Sequence, residues 1–171
     1  MKLLLSLLLA FTMSPVWPIG PNPLPGDPFL IVNKKSNEVA FIHDNKVQIV
    51  YKAATGKTND LTPAGLYTVT VKAINPYYRK KNIPGGSPKN PLGSRWIGFN
   101  AKDTEGRTYG IHGTNNPSSI GGYVSQGCIR LKNEDAIELF EKVPIGTKIY
   151  ITYSGMPFEE IAQEKGAITN H

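Results

Sequence analysis

A mainly β domain, a sandwich or barrel with one packed helix, is predicted for this 171-residue chain by three observations. Short runs rich in Val, Ile, Tyr, Phe and Thr recur between Phe29 and Thr152. Glycine, proline and asparagine punctuate them as turns do. Only the stretch from Asn133 to Val143 combines helical spacing of apolar residues with start and stop signals. The length suits a single domain with a real core, and the sequence shows no internal repeat.

Residues 1–28 read as a leader rather than as part of that domain. Lys2 precedes the apolar run Leu3 to Met13, which has the length of a signal-peptide core and is short for a membrane span. Ser14-Pro15-Val16-Trp17-Pro18 offers no clear small-x-small cleavage pattern, so removal of the leader is left open. Six prolines (Pro15, Pro18, Pro21, Pro23, Pro25 and Pro28), with Gly20 and Gly26, make an extended tether. The chain is therefore expected to be exported. The folded domain is expected over 29–153 and a tail over 154–171.

Phe29-Leu30-Ile31-Val32 and Glu38 to Ile42 are predicted strands joined by the polar turn Asn33 to Asn37. Lys46 to Ala54 alternates and is β-rich. Leu66 to Val71 is a further strand. Arg95 to Phe99 and Thr108 to His112 are two more, linked by a turn at Asp103 to Gly106. Lys148 to Thr152 is the last. The helix starts at Asn133 as N-cap, with Glu134 and Asp135 in its positive first turn. Ala136, Ile137, Leu139 and Phe140 form its apolar face, and Pro144-Ile145-Gly146 stops it. Past Tyr153 there is room for a short C-terminal helix. The polar segment Asn75 to Asn90 is too long for a plain turn and is expected to be a substrate lid.

The formal net charge is +6, from 19 Lys and Arg against 13 Asp and Glu. Only Arg79-Lys80-Lys81 forms a basic run. This balance suits solubility or weak attraction to an anionic polymer. It lacks the aromatic and basic interleaving of nucleic-acid binders.

Cys128 is the chain's single cysteine, within Val124-Ser125-Gln126-Gly127-Cys128-Ile129-Arg130-Leu131. It has no partner for an internal disulfide. A free thiol in an exported protein is a candidate nucleophile when a base is at hand. His112, in Tyr109-Gly110-Ile111-His112-Gly113-Thr114, is the candidate base, placed where a strand opens into a loop. The two lie 128 − 112 = 16 residues apart, so the fold must bring them together. Gly127 allows close approach to the backbone, and amides near Gly127 and Cys128 could hold an oxyanion. Arg130, two residues on, shares a face with Cys128 if the segment is extended. It could fork onto a carboxylate, stabilise a thiolate or form a structural ion pair. Ser125 could donate to substrate. A zinc site from Cys128, His112 and His43 has no supporting ligand spacing, and His171 is terminal.

Taken together, these residues resemble the L,D-transpeptidase catalytic domain. That family carries His-Gly and then Ser-x-Gly-Cys-x-Arg, here His112-Gly113 and Ser125-Gln126-Gly127-Cys128-Ile129-Arg130. Thr62-Pro63-Ala64-Gly65-Leu66-Tyr67 and Asn90-Pro91-Leu92-Gly93-Ser94-Arg95-Trp96-Ile97-Gly98 extend the likeness across about residues 29–153. One departure is Gln126, where many members have His.

The resemblance implies a β-rich fold and attack by Cys128 on a peptidoglycan stem peptide. Terminal D-Ala would leave, and a second stem's amine would take the acyl group to give a 3→3 cross-link. His112 would carry the protons. Gly127 and Cys128 amides would hold the oxyanion, and Arg130, Ser125, Gly113 and Tyr109 would line the substrate site. The resemblance implies no metal or cofactor, and carbapenems as acylating inhibitors of Cys128. An L,D-carboxypeptidase, with water as acceptor, and a catalytically silent wall-binding module remain open.

Overall fold

The computed structural model describes residues 23–169. The apolar leader, most of the proline-rich tether and His171 lie outside the described residues.

Strands β1 (Phe29–Asn33), β2 (Glu38–His43) and β3 (Lys46–Lys52) form two successive hairpins. Asp44 and Asn45 turn the second in two residues, both at positive φ (49° and 61°). Asp and Asn enter that region more readily than other non-glycine residues. In β3 the burial alternates, with Val47, Ile49 and Tyr51 turned inward and Lys46, Gln48, Val50 and Lys52 outward.

Next come β4 (Thr55–Gly56), the long β5 (Gly65–Ile74), β6 (Arg95–Phe99) and β7 (Tyr109–His112). Strands β8 (Tyr123–Ser125) and β9 (Ile129–Arg130) follow, then helix α1 (Asn133–Lys142), β10 (Lys148–Thr152) and helix α2 (Phe158–Glu164). Eight strands make one sheet in the order β3-β2-β1-β10-β5-β6-β7-β9, while β4 and β8 pair in parallel beside it. The β1–β10 and β7–β9 pairs are parallel and the rest of the large sheet is antiparallel.

The sheet curls until its ends approach. Ala54, just past β3, exchanges two 2.9 Å backbone hydrogen bonds with Arg130 of β9. The first and last strands of the order are thereby joined, and the result is a half-barrel rather than a flat sandwich. Leu30, Val32, Phe41, Val69, Ile97, Phe99, Ile111, Ile129, Ile149 and Ile151 fill its inside against Leu139 and Phe140 of α1.

A second apolar layer lies on the other face of β1 and β2. Phe29, Ile31, Ala40 and Ile42 pack there against Ile161, Ala162, Ala167 and Ile168. The run Phe29-Leu30-Ile31-Val32 is continuous because β1 is buried on both faces. Each such side chain contributes about 1.5–3 kcal/mol on burial. The residues after Tyr153 therefore supply a second helix and the cover for this layer.

Helix α1 follows its sequence signals at most positions. Glu134 and Asp135 sit in its first turn and Lys142 in its last. Two expectations are corrected. Ile137 points out, because only Ala136, Leu139 and Phe140 lie on the core stripe. Asn133 is the first helical residue and makes no cap bond; its amide is used elsewhere, as described below.

Candidate active site

Strands β7 and β9 run parallel, with Ile111 opposite Ile129 and His112 opposite Arg130. The same register, continued back by one, sets Cys128 beside Gly110. Side chains alternate along a strand, so Cys128, Arg130, Gly110 and His112 belong to one face. It is the face opposite Ile111 and Ile129, which enter the barrel core. The 15 residues between His112 and Cys128 include a 3-10 turn at Pro117–Ser119 and β8.

His112 is held on three sides. Its Nδ1 lies 2.6 Å from the Gly113 carbonyl, which can only accept, so Nδ1 carries the proton and Nε2 keeps its lone pair. The indole of Trp96, paired with His112 across β6 and β7, stacks on the imidazole. Trp96 Nε1 donates to the Gly106 carbonyl at 2.8 Å. Gly110 makes room for the ring, since a Cβ there would come within 2.6 Å of it. Asn133 clamps the loop beyond His112. Its Oδ1 accepts from the Thr114 amide (3.1 Å) and its Nδ2 donates to the Thr114 carbonyl (2.9 Å).

The turn carrying Cys128 is fixed by buried backbone contacts. Gly127 has φ +131°, and a Cβ there would meet the Leu61 carbonyl at 2.5 Å. Its amide donates to Ser125 Oγ (3.0 Å), and its carbonyl accepts from Thr62 Oγ1 (2.9 Å). The Cys128 thiol reaches the Thr108 carbonyl at 3.5 Å.

Burial pushes the His112 pKa down to about 4; the nearby Arg130 charge pushes the same way, against the Gly113 and Leu92 backbone. Burial raises the Cys128 pKa, opposed by the Gly110 backbone and by the charges of Lys80 and Arg130. The resting pair is a neutral thiol beside a neutral imidazole. Attack by sulfur from such a pair would require the proton to leave as the new bond forms, and the His112 lone pair could receive it. Among the described residues, no carboxylate lies within 4 Å of Arg130, so its guanidinium is not tied up in an ion pair. No group of three or more His, Cys, Asp or Glu among the described residues is placed to hold a metal.

The family profile of the L,D-transpeptidase catalytic domain (YkuD) matches residues 27–151, which cover every strand above except the last residue of β10. The chain belongs to the L,D-transpeptidase family. YqjB of Bacillus subtilis, which bears the L,D-transpeptidase name, is 63% identical over 156 residues, covering 91% of this chain and 89% of its own. The solved catalytic domain of the E. faecium L,D-transpeptidase is 25% identical with a TM-score of 0.55, over 74% of this chain and 97% of that one. L,D-transpeptidase 3 of Mycobacterium tuberculosis, solved with a faropenem-derived adduct, shares the fold (TM-score 0.57, 20% identity). The match covers 75% of this chain and 60% of that one.

Within this L,D-transpeptidase fold, Cys128, His112 and Arg130 lie on one face of the β7–β9 pair. Four other expected site residues stand differently. Ser125 is buried, and its hydroxyl accepts from Gly127, because the chain reverses there and needs a local acceptor. The Gly127 amide is consequently engaged and is not a free oxyanion donor. Gly113 is buried too, packed against Gly93 and Asn133, with its carbonyl taken by His112. Strand alternation turns Tyr109 to the core side, where it packs on Phe99 and under Gly127. His43 stays at the end of β2, on Phe41 and 3.5 Å from Asp44.

Three residues that hold this L,D-transpeptidase site were not assigned from sequence: Trp96, Thr62 and Asn133. The first two lie in the upstream motifs that carry the resemblance. A tryptophan two residues before a glycine was the available signal, but its partner ring cannot be read from one strand alone. Lys80, on the exposed 3-10 turn Arg79–Lys81, belongs to the segment 75–90, and its charge bears on Cys128.

Proposed function

We propose that this protein is an exported, cysteine-dependent L,D-transpeptidase that cross-links peptidoglycan stem peptides in cell-wall biogenesis and maintenance of cell shape. The observation that carries this reading is the shared face of β7 and β9. It sets a thiol, an imidazole of fixed tautomer and an unpaired guanidinium side by side.

Cys128 Sγ attacks the carbonyl of the L-centred third residue of a tetrapeptide stem, and its proton passes to His112 Nε2. The carbon–sulfur bond forms and the carbonyl electrons move to oxygen. The Cys128 amide receives that charge, since the Gly127 amide is engaged. The tetrahedral adduct collapses, the peptide bond to D-Ala breaks, and His112 returns the proton to the leaving amine. An amine from a neighbouring stem then attacks the thioester. His112 takes the proton of that amine, and the departing thiolate recovers it. Arg130 holds a stem carboxylate. The faropenem-derived adduct of the mycobacterial relative supports β-lactams as acylating inhibitors here, with carbapenems expected among them. The leader at residues 1–28 supports action outside the cytoplasm.

The test is intact-mass spectrometry after incubation with a carbapenem, on the parent and on Cys128→Ala. A single adduct on the parent alone is expected, and no adduct on either would overturn the reading. Incubation with a stem tetrapeptide and an amine acceptor then separates cross-linking from hydrolysis. Product from water alone would make the chain an L,D-carboxypeptidase.

A further inference from the structure

Lys34 is a buried lysine, 3% exposed, and no carboxylate among the described residues lies within 4 Å of it. Such burial is costly unless the ammonium has something to hold. Its Nζ donates to two backbone carbonyls, Asn59 and Thr62, each at 2.9 Å. They belong to the segment between β4 and β5 that presses its Leu61 carbonyl onto Gly127.

Thr62 is fully buried, and its hydroxyl works in two directions. It accepts from the Gly56 amide and donates to the Gly127 carbonyl, both at 2.9 Å. The Lys57 amide donates to the Ser125 carbonyl at 3.0 Å and joins the same two segments. The Gly127 carbonyl and the Cys128 amide belong to one peptide unit. That unit is planar, with its C=O and N–H pointing in opposite directions. A bond that fixes the Gly127 oxygen therefore also aims the Cys128 N–H.

We propose that Thr62, held from behind by Lys34, is a positioning residue that aims the Cys128 amide at the oxyanion. The inference rests on Cys128 being the nucleophile. It concerns acyl transfer specifically, because sulfur attack on a saturated carbon develops no oxyanion.

The test compares two reactions of the same thiol in the whole protein: acylation by a carbapenem and alkylation by iodoacetamide. Thr62→Val and Lys34→Met are expected to slow acylation about tenfold or more while alkylation stays within about twofold. Thr62→Ser, which keeps the hydroxyl, is expected to acylate like the parent. Equal losses in both reactions would reduce the pair to general structural support and overturn the proposal. Unchanged acylation in Thr62→Val would do the same, whether or not Lys34→Met folds. Failure of the parent to react at Cys128 with either reagent would instead overturn the nucleophile assignment on which this rests.

Discussion

The indole of Trp96 lies nearly parallel to the imidazole of His112, with 5.6 Å between ring centroids and 13° between planes. The stack is possible because Gly98 and Gly110, its neighbours on the same face, carry no side chains to occupy the ring's place. One wall of the His112 pocket is thus an aromatic plate anchored to the Gly106 carbonyl.

Replacing that plate should affect stability and titration together. Trp96→Leu is expected to cost about 3 kcal/mol through the void and the lost stack. It should also let water reach His112 and move its pKa upward from about 4. Thermal melts and an NMR titration of the His112 ring check both. A destabilised variant with an unmoved titration would mean that Trp96 packs without shielding the base.

Protonation of His112 should appear in the acid stability of the whole domain. The folded pKa is about 4 and the unfolded value about 6.5. As pH falls through that window, the unfolded chain takes up a proton that the folded chain refuses. The stabilisation is fully present above pH 6.5 and about 3 kcal/mol of it is lost by pH 4. Denaturant melts of the parent and His112→Gln across this range should diverge, the variant losing less. Parallel curves would mean that the ring is charged in the fold.

The same shifts predict the pH dependence of acylation. The base stays neutral down to about pH 4, so the acid limb should fall near there and not near 6.5. The thiol is pushed above its ordinary range, so alkylation of Cys128 should still be rising at pH 9. A plateau from neutral pH upward would indicate a preformed thiolate–imidazolium pair and contradict this account. Cys128→Ala should abolish product with little change in the melt, since the thiol is small.

Much of this was legible in the sequence, for identifiable reasons. The strands from Phe29 to Thr152 announce themselves by β-branched runs and by turns such as Asp44-Asn45. Strands β4, β8 and β9 do not, because two or three residues carry no period; they form only because β3 and β7 bring partners alongside. The turn between β8 and β9 carries Cys128. Cys128 and His112 could be named from residue type and spacing, whereas their shared face is a product of register. The sequence points Ser125 at substrate and the Gly127 amide at an oxyanion, because it cannot show that the Gly127 amide donates to the Ser125 hydroxyl. Asn133 had the identity of a cap but is drawn to Thr114 by the close crossing of Gly93 and Gly113.

Gly127→Ala should be among the most damaging single changes. It forces a Cβ against the Leu61 carbonyl and a side chain into φ +131°. The expected cost is about 1–3 kcal/mol or more, with a larger fall in acylation than in the melt. Crystallography or amide exchange at Cys128 would show whether the turn has moved. Retention of full acylation would mean that the turn tolerates another backbone path.

The segment from Asn75 to Asn90 places Lys80 within electrostatic reach of Cys128. Lys80→Gln should therefore raise the thiol pKa further, read from the pH profile of alkylation. Shortening the segment should weaken stem-peptide affinity. If affinity held, the segment would be a bystander and not a lid.

Strand β1 is made first and its parallel neighbour β10 nearly last, with Phe29 opposite Lys148 and Asn33 opposite Thr152. The centre of the sheet therefore cannot close during most of synthesis, and the pairing that completes it spans almost the whole folded chain. Such non-local topology folds slowly, because a long loop must be closed before the ladder returns any stability. For the export proposed above, in which the chain would thread a translocation channel before folding, this delay would be an advantage. The fold withholds its own completion until the C-terminal strand and the helix behind it have emerged.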